Sequence, residues 1–386
     1  MKENATMSSG KINNGNKKPR MANLELLRCI AMMMVVVLHY LGKGNLLGDL
    51  SAESMTATGT LAWVLEMFCI VAVNVYMLLS GYFLCTTSWK ISRLIKLWLQ
   101  VWTYSAVIGL LAVVLGAYPM EQFSLHYLFT LFFPITMGHY WFMTAYVFLY
   151  ILLPLFAGAV RKMTKQQMQV TLVMLFIAFS ILKSVLPVRL EMDGKGYDCL
   201  WYLCMFLVAA YIRRFGMPIL NKKWRCLLGY VLCCGLIFVG TFGLRMVYLK
   251  TGSLEHIMKI CIEYNHILPA LAAVLLFGFF LQVKVSGKLA SWITKIAPYT
   301  LGVYLIHENI GVRNVWQQWI GAGAISTPVG LLIGTFCAVV CVFVLGVIVD
   351  FLRTKCMDGL GYVLAKCSLG KKLNEKIGQL DRLFVE

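Results

Sequence analysis

Charge is what this chain is short of. Only 13% of its 386 residues are charged, and just 17 of them are acidic. A soluble domain covers its outside with such side chains. A chain this poor in them, 60% hydrophobic and with a mean hydropathy of +0.76, has no water-facing surface to spare for its long apolar runs. Other things are missing too. There is no Walker A loop and no GxGxxG after a strand pattern, so the phosphate cradles that ATP-driven transport needs are absent. Thirteen cysteines are present, yet no CxxC pairs with a second one or with a His, so no zinc or redox centre is expected and no metal is called for. Cys69, Cys233, Cys234, Cys337 and Cys341 fall in apolar runs, where a thiol behaves as a small hydrophobe. No small-residue cleavage pattern closes the first apolar run, so a retained signal anchor is expected there.

What is present is a series of runs near ~20 apolar residues, the length that crosses a ~30 Å hydrocarbon core. Ten are expected, near residues 22–41, 61–84, 94–117, 139–158, 169–187, 199–215, 226–247, 262–282, 297–319 and 327–352. The fold class is therefore an all-α polytopic bundle. Positive charge orients it: with the N-terminus inside, the inner segments hold 26 Lys or Arg and the outer ones six (Lys43, Arg189, Lys195, Lys250, Lys259, Arg313), and Arg28, Lys183 and Arg245 lie in spans or at their edges. Both termini are expected to be cytoplasmic. Residues 1–21 read as a disordered basic tail, 22–352 as the transmembrane domain and 353–386 as a basic amphipathic tail on the inner surface. The net charge of +18 is then what topology and anionic lipid headgroups ask for, so membrane lipid and not nucleic acid is the expected partner.

Within the first span, NLELLRCIAMMMVVVLHY, Arg28 and His39 stand eleven residues apart. At roughly 100° per residue they share a face, with ~16 Å of helix axis between them. A buried Arg costs roughly 2.5–3.5 kcal/mol on an insertion scale, so the pair is expected to face a protected cavity. The second span carries Glu66 near its outer end, Asn74 mid-membrane and Ser80 with Gly81 toward the cytoplasm. Glu66 lies at a depth similar to His39 and is the expected carboxylate to orient that imidazole, with helix-to-helix glue as the plain alternative for it and for Asn74. After this span Lys90, Arg93 and Lys96 recur every three residues at the start of the next helix, a geometry suited to a phosphorylated ligand or simply to inner positive charge. HYWFMTAY places His139, Tyr140 and Trp141 at the outer start of the fourth span, as interfacial anchors or substrate contacts, and YLIHEN places His307 and Glu308 inside the ninth.

LELLRCIAMMMVVVLHY resembles the first span of the acyltransferase 3 family of integral membrane acyltransferases, marked by a basic residue, ten residues and a His, here Arg28 and His39. NVYMLLSGYFL resembles the family's SGF or SGY segment at Ser80, Gly81 and Tyr82, with Val75 and Tyr76 where a Phe pair is common. The basic cluster resembles its cytoplasmic Arg motif, with Lys at two of three positions, and HYWFMTAY and YTLGVYLIH resemble later segments, so the similarity runs from about residue 22 to about residue 350.

The resemblance implies transfer of an acyl group, usually acetyl, from cytoplasmic acyl-CoA to a hydroxyl of an extracytoplasmic acceptor, typically a cell-surface carbohydrate, at the cell membrane. In that scheme His39 is the base, oriented by Glu66 or a neighbour such as Glu308. Arg28, Ser80, Lys90, Arg93 and Lys96 belong to the acyl-CoA side, and Asn74, His139, Tyr140, Trp141, His307 and Glu308 to the acceptor side. The alternative for a chain with buried charges in many spans is a secondary transporter of a small polar solute. Against it, the two halves show no clear duplication and no matching pair of Gly/Pro-broken spans.

Overall fold

The structure is a computed structural model describing residues 20–186 and 193–384. The N-terminal tail up to residue 19, and Arg189, lie outside the described residues. Every regular element among the described residues is helical. α1 (Ala22–Lys43) is followed by α2 (Ala57–Cys69), α3 (Ala72–Leu84), α4 (Ile91–Val114) and α5 (Leu125–Phe132). Next come α6 (Trp141–Lys162), α7 (Lys165–Phe176), a π-turn at Ile177–Ile181, α8 (Leu182–Val185) and α9 (Cys199–Phe215). The chain closes with α10 (Lys223–Thr251), α11 (Ile267–Gln282), α12 (Gly287–Ile296), α13 (Thr300–His307), α14 (Trp316–Trp319), α15 (Pro328–Leu364) and α16 (Ser368–Arg382).

Among the described residues, eight stretches are long and apolar enough to cross a membrane, α2 and α3 counting as one. Two of the ten expected runs differ. The run at 199–215 is one helix of 17 residues, sunk in the bundle so that Trp201, Tyr202 and every residue from Cys204 to Ile212 is buried. The run at 297–319 is no continuous helix: α13 stops at His307, and turns connect it to the single turn of α14. The mean apolarity of that window hid the polar residues His307, Glu308, Asn309 and Arg313, of which Asn309 ties the break to Tyr104 and Tyr140.

α1 is the hub, packing against α2, α3, α11, α12, α13 and α15. It is apolar on most sides, as a largely enclosed helix must be, apart from the face that carries Arg28 and His39. Leu24, Leu27, Ala31 and Leu38 join one buried cluster, while Met32, Val35, Val36, Tyr40 and Leu41 join the other. Lipid is as apolar as leucine, so helices in it associate through close backbone approach. At α3 against α9, a Cβ on Gly81 would sit 2.8 Å from the Cα of Phe206, and at α15 against α13, one on Gly346 would sit 2.7 Å from the Cα of Val303. Where α2 passes into α3, the Tyr230 hydroxyl donates to the carbonyl of Phe68 at 2.6 Å, satisfying an oxygen at the join. The exposed faces of α10 and α15 carry Leu232, Val239, Phe336 and Leu345, a surface that suits hydrocarbon and not water.

Candidate active site

Arg28 and His39 project from one face of α1 into the same cavity of about 350 Å³, whose wall also includes Ser80, Gln100, Trp141 and Tyr146. The volume suits a small ligand or one arm of a larger one. At one end Arg28 lies 3.5 Å from Glu25 and is partly exposed. Its backbone carbonyl accepts the Tyr76 hydroxyl at 2.9 Å, tying α1 to α3 beside the guanidinium.

At the other end the protonation of His39 can be read from its partners. His307 Nδ1 lies 2.6 Å from the carbonyl oxygen of Val303, which only accepts, so that nitrogen carries hydrogen. His307 Nε2, in the neutral ring, is then an acceptor. His39 Nδ1 lies 2.9 Å from it and must donate. The lone pair of His39 is thereby left on Nε2, and His39 borders the cavity. Glu308 Oε2 stands 3.0 Å from His39 Nδ1, while its other oxygen accepts from Lys43 and lies 3.9 Å from Arg313. A base whose far nitrogen is held by a neutral imidazole and flanked by a carboxylate is oriented for proton abstraction, with a counter-charge ready for the imidazolium. His39, His307 and Glu308 also offer three metal-ligating atoms within 4.8 Å of one another. Lys43 and Arg313 already face that carboxylate, so a divalent ion there would meet two like charges.

The broken run after α13 is what delivers Glu308. Asn309 Nδ2 donates to the carbonyl of Tyr104 at 3.1 Å and to the Tyr140 hydroxyl at 3.0 Å, and its Oδ1 accepts the Gly311 backbone N–H at 2.9 Å. Tyr140 in turn donates to the carbonyl of Leu305 at 2.9 Å. His139 Nε2 accepts the backbone N–H of Ile310 at 2.8 Å, so its Nδ1 donates to Ser105 at 2.8 Å. His139 and Tyr140 are buried and fully engaged, and neither borders the cavity. They support the loop that carries Glu308, whereas Trp141, the third residue expected with them, does line the cavity.

Other expected residues divide in the same way. Ser80 borders the cavity. Asn74 is completely buried, donating to the carbonyl of Tyr264 at 2.8 Å and accepting from Trp201 at 2.9 Å, so it is helix glue that fixes the cavity-lining Tyr264. No hydrogen bond or ion pair among the described residues joins Glu66 to His39, and Glu66 does not border the cavity. The orienting place expected for it is taken by His307 and Glu308. Equal depth on neighbouring helices did not mean a shared face. Lys90, Arg93 and Lys96 do not line the cavity; Arg93 and Lys96 are exposed. The α4 N-terminus beside them is capped from α16: Asp381 accepts the backbone N–H of Ser92 at 3.0 Å and its hydroxyl at 2.5 Å.

Residues 21–349 match the family model described as an acyltransferase domain. The chain belongs to the acyltransferase 3 family. No curated protein and no solved structure matches it. As an acyltransferase 3 protein with eight apolar helices of spanning length, it is a membrane acyltransferase. The match takes in the whole His39, His307 and Glu308 cluster. Three participants escaped the sequence reading of this acyltransferase: Lys43 as a partner of Glu308, Gln100 and Asp350. Lys43 was detectable, since it stands one turn past His39 on the same face.

Proposed function

We propose that this membrane acyltransferase moves an acetyl group from cytoplasmic acetyl-CoA to a hydroxyl of a carbohydrate at the outer side of the cell membrane. The observation that carries this reading is the single cavity with Arg28 at one end and the free Nε2 of His39 toward the other. An anionic donor meets guanidinium first, and its thioester arm runs inward along ~16 Å of α1 to the base. The acceptor hydroxyl gives its proton to His39 Nε2 as its oxygen attacks the thioester carbonyl. Glu308, held by Lys43, balances the imidazolium. The C–S bond then breaks, His39 returns the proton to the leaving sulfur, and the products are an ester and free CoA.

A carbohydrate is favoured by the aromatic rings toward the outer end. Trp141 lies 4.4 Å from Tyr197 and 5.9 Å from Tyr264 between centroids, and Tyr197 lies 4.8 Å from Tyr264. The C–H faces of a sugar ring pack on π faces of this kind while its hydroxyls stay free to react.

The orientation rests on the 26 to six division of positive charge. Membrane-impermeant thiol reagents added outside cells are expected to label a cysteine engineered at an exposed position near Asp193 and not one near Lys165; the reverse would invert the two mouths. The division of labour has its own test in purified protein at fixed ionic strength, because salt screens charged contacts. Arg28→Ala, at the cavity, and Arg93→Ala, exposed outside it where the donor's nucleotide would extend, should weaken acetyl-CoA binding, since a guanidinium grips phosphate with two parallel hydrogen bonds, whereas Trp141→Ala should spare it. Normal donor affinity in both Arg variants with a loss in Trp141→Ala would assign the ends the other way round.

A further inference from the structure

Asp350 is a buried acid that joins α15 to α4 and that the reaction above does not use. It is 1% exposed, on an otherwise apolar stretch of α15, where a carboxylate is expensive. Its Oδ1 accepts from Arg353 Nε at 2.7 Å, the Tyr104 hydroxyl at 2.9 Å and Gln100 Nε2 at 3.1 Å, and its Oδ2 lies 3.3 Å from the same Gln100 nitrogen. A carboxylate accepts only, so Gln100 must turn its NH₂ toward Asp350 and its carbonyl oxygen away. Gln100 borders the cavity, and no hydrogen bond to that oxygen is present among the described residues.

Depth says what passes there. α1 and α4 both start at the side read as cytoplasmic. At 1.5 Å per residue Gln100 lies roughly 14 Å along its helix, between Arg28 at roughly 9 Å and His39 at roughly 26 Å along theirs. A fixed carbonyl in an otherwise largely apolar wall, between the cation that meets phosphate and the base that meets the thioester, faces the intervening pantetheine arm. That arm carries two secondary amides, each with an N–H to give. We propose that Gln100, aimed by Asp350 as a positioning residue, accepts a hydrogen bond from a pantetheine amide and so recognises the donor's arm independently of its nucleotide. This rests on the acyl-CoA reading above.

The test is steady-state turnover by the full-length protein in lipid nanodiscs with acetyl-CoA and with S-acetylpantetheine, which keeps both amides and lacks the nucleotide. Gln100→Ala is expected to raise KM for both donors alike, by about tenfold for the loss of one such bond, with kcat and the acceptor KM within about twofold of the parent. Gln100→Met, similar in length and without the carbonyl, is measured beside it in case alanine leaves a void that unfolds the bundle. Asp350→Asn should shift both donors in the same direction by releasing the Gln100 amide, while Arg28→Ala should raise KM for acetyl-CoA alone. Unchanged donor KM values in the Gln100 variants, with an active parent, overturn the inference and leave the donor reading standing. An effect confined to acetyl-CoA also overturns it, because Gln100 would then read the nucleotide end. A parent that turns over neither donor overturns the acyl-CoA reading and this inference with it.

Discussion

His39→Ala protein is expected to reach the membrane and fold like the parent while losing acyl transfer by roughly 10²–10⁴-fold, the usual contribution of a positioned general base. Folding should survive because the change replaces a polar side chain by an apolar one on α1, and because Glu308 keeps Lys43 as its partner. His39→Gln should fail equally, since it can hydrogen-bond but cannot take up a proton at neutral pH. The measurement is product formation by purified variants, with size-exclusion profiles as the check on folding. Turnover within a few-fold of the parent in either variant would remove His39 from the chemistry.

Glu308 should separate chemistry from stability. Glu308→Gln keeps the shape and loses the negative charge that balances the imidazolium. A charge-assisted contact contributes about 1.5–3 kcal/mol, so kcat should fall roughly 10- to 100-fold with little change in donor KM. The loss is smaller than for His39 because His307, and not Glu308, fixes the tautomer. Glu308→Ala should behave differently: it leaves Lys43 and Arg313 facing one another across a mostly buried site, and breaking a buried pair in this way costs up to about 3–5 kcal/mol. A drop in melting temperature is expected for both, and the larger one for Ala, because Gln keeps a carbonyl that can accept from Lys43 although it loses the charge. Glu66→Gln serves as the comparison and should leave turnover within a few-fold. A severe kinetic loss there, with none in Glu308→Gln, would restore Glu66 to the role the sequence suggested.

The parts of this site that could be read in the sequence are those carried by one helix. Arg28 and His39 lie on one apolar segment, so helical geometry alone puts them on a common face, and the cavity between them follows. Glu66 was misplaced because a depth argument fixes the level along a span and says nothing about rotation around it. His139 and Tyr140 looked like acceptor contacts because polar groups near an outer membrane edge are ambiguous until their partners are seen. Here those partners include backbone atoms of a segment more than 160 residues later. Gln100 and Asp350, 250 positions apart, were invisible for the same reason: a single polar residue in an apolar helix carries no mark of what it faces. Among the span boundaries, the failure at 297–319 has the plainest cause. Average apolarity registers composition, while at the break the side chains of Glu308 and Asn309 bind Lys43, Tyr104 and Tyr140.

The join between His39 and His307 spans 268 positions of the chain. During synthesis His39 is inserted early, while His307 and Glu308, its proposed proton partner and counter-charge, follow some 268 residues later. Nascent intermediates that end before α13 therefore carry His39 with nothing to fix its tautomer, and on the proposed mechanism should be inert however well their helices are inserted. On the proposed mechanism, catalytic competence would arise only when the segment bearing His307 and Glu308 docks against a helix inserted well before it.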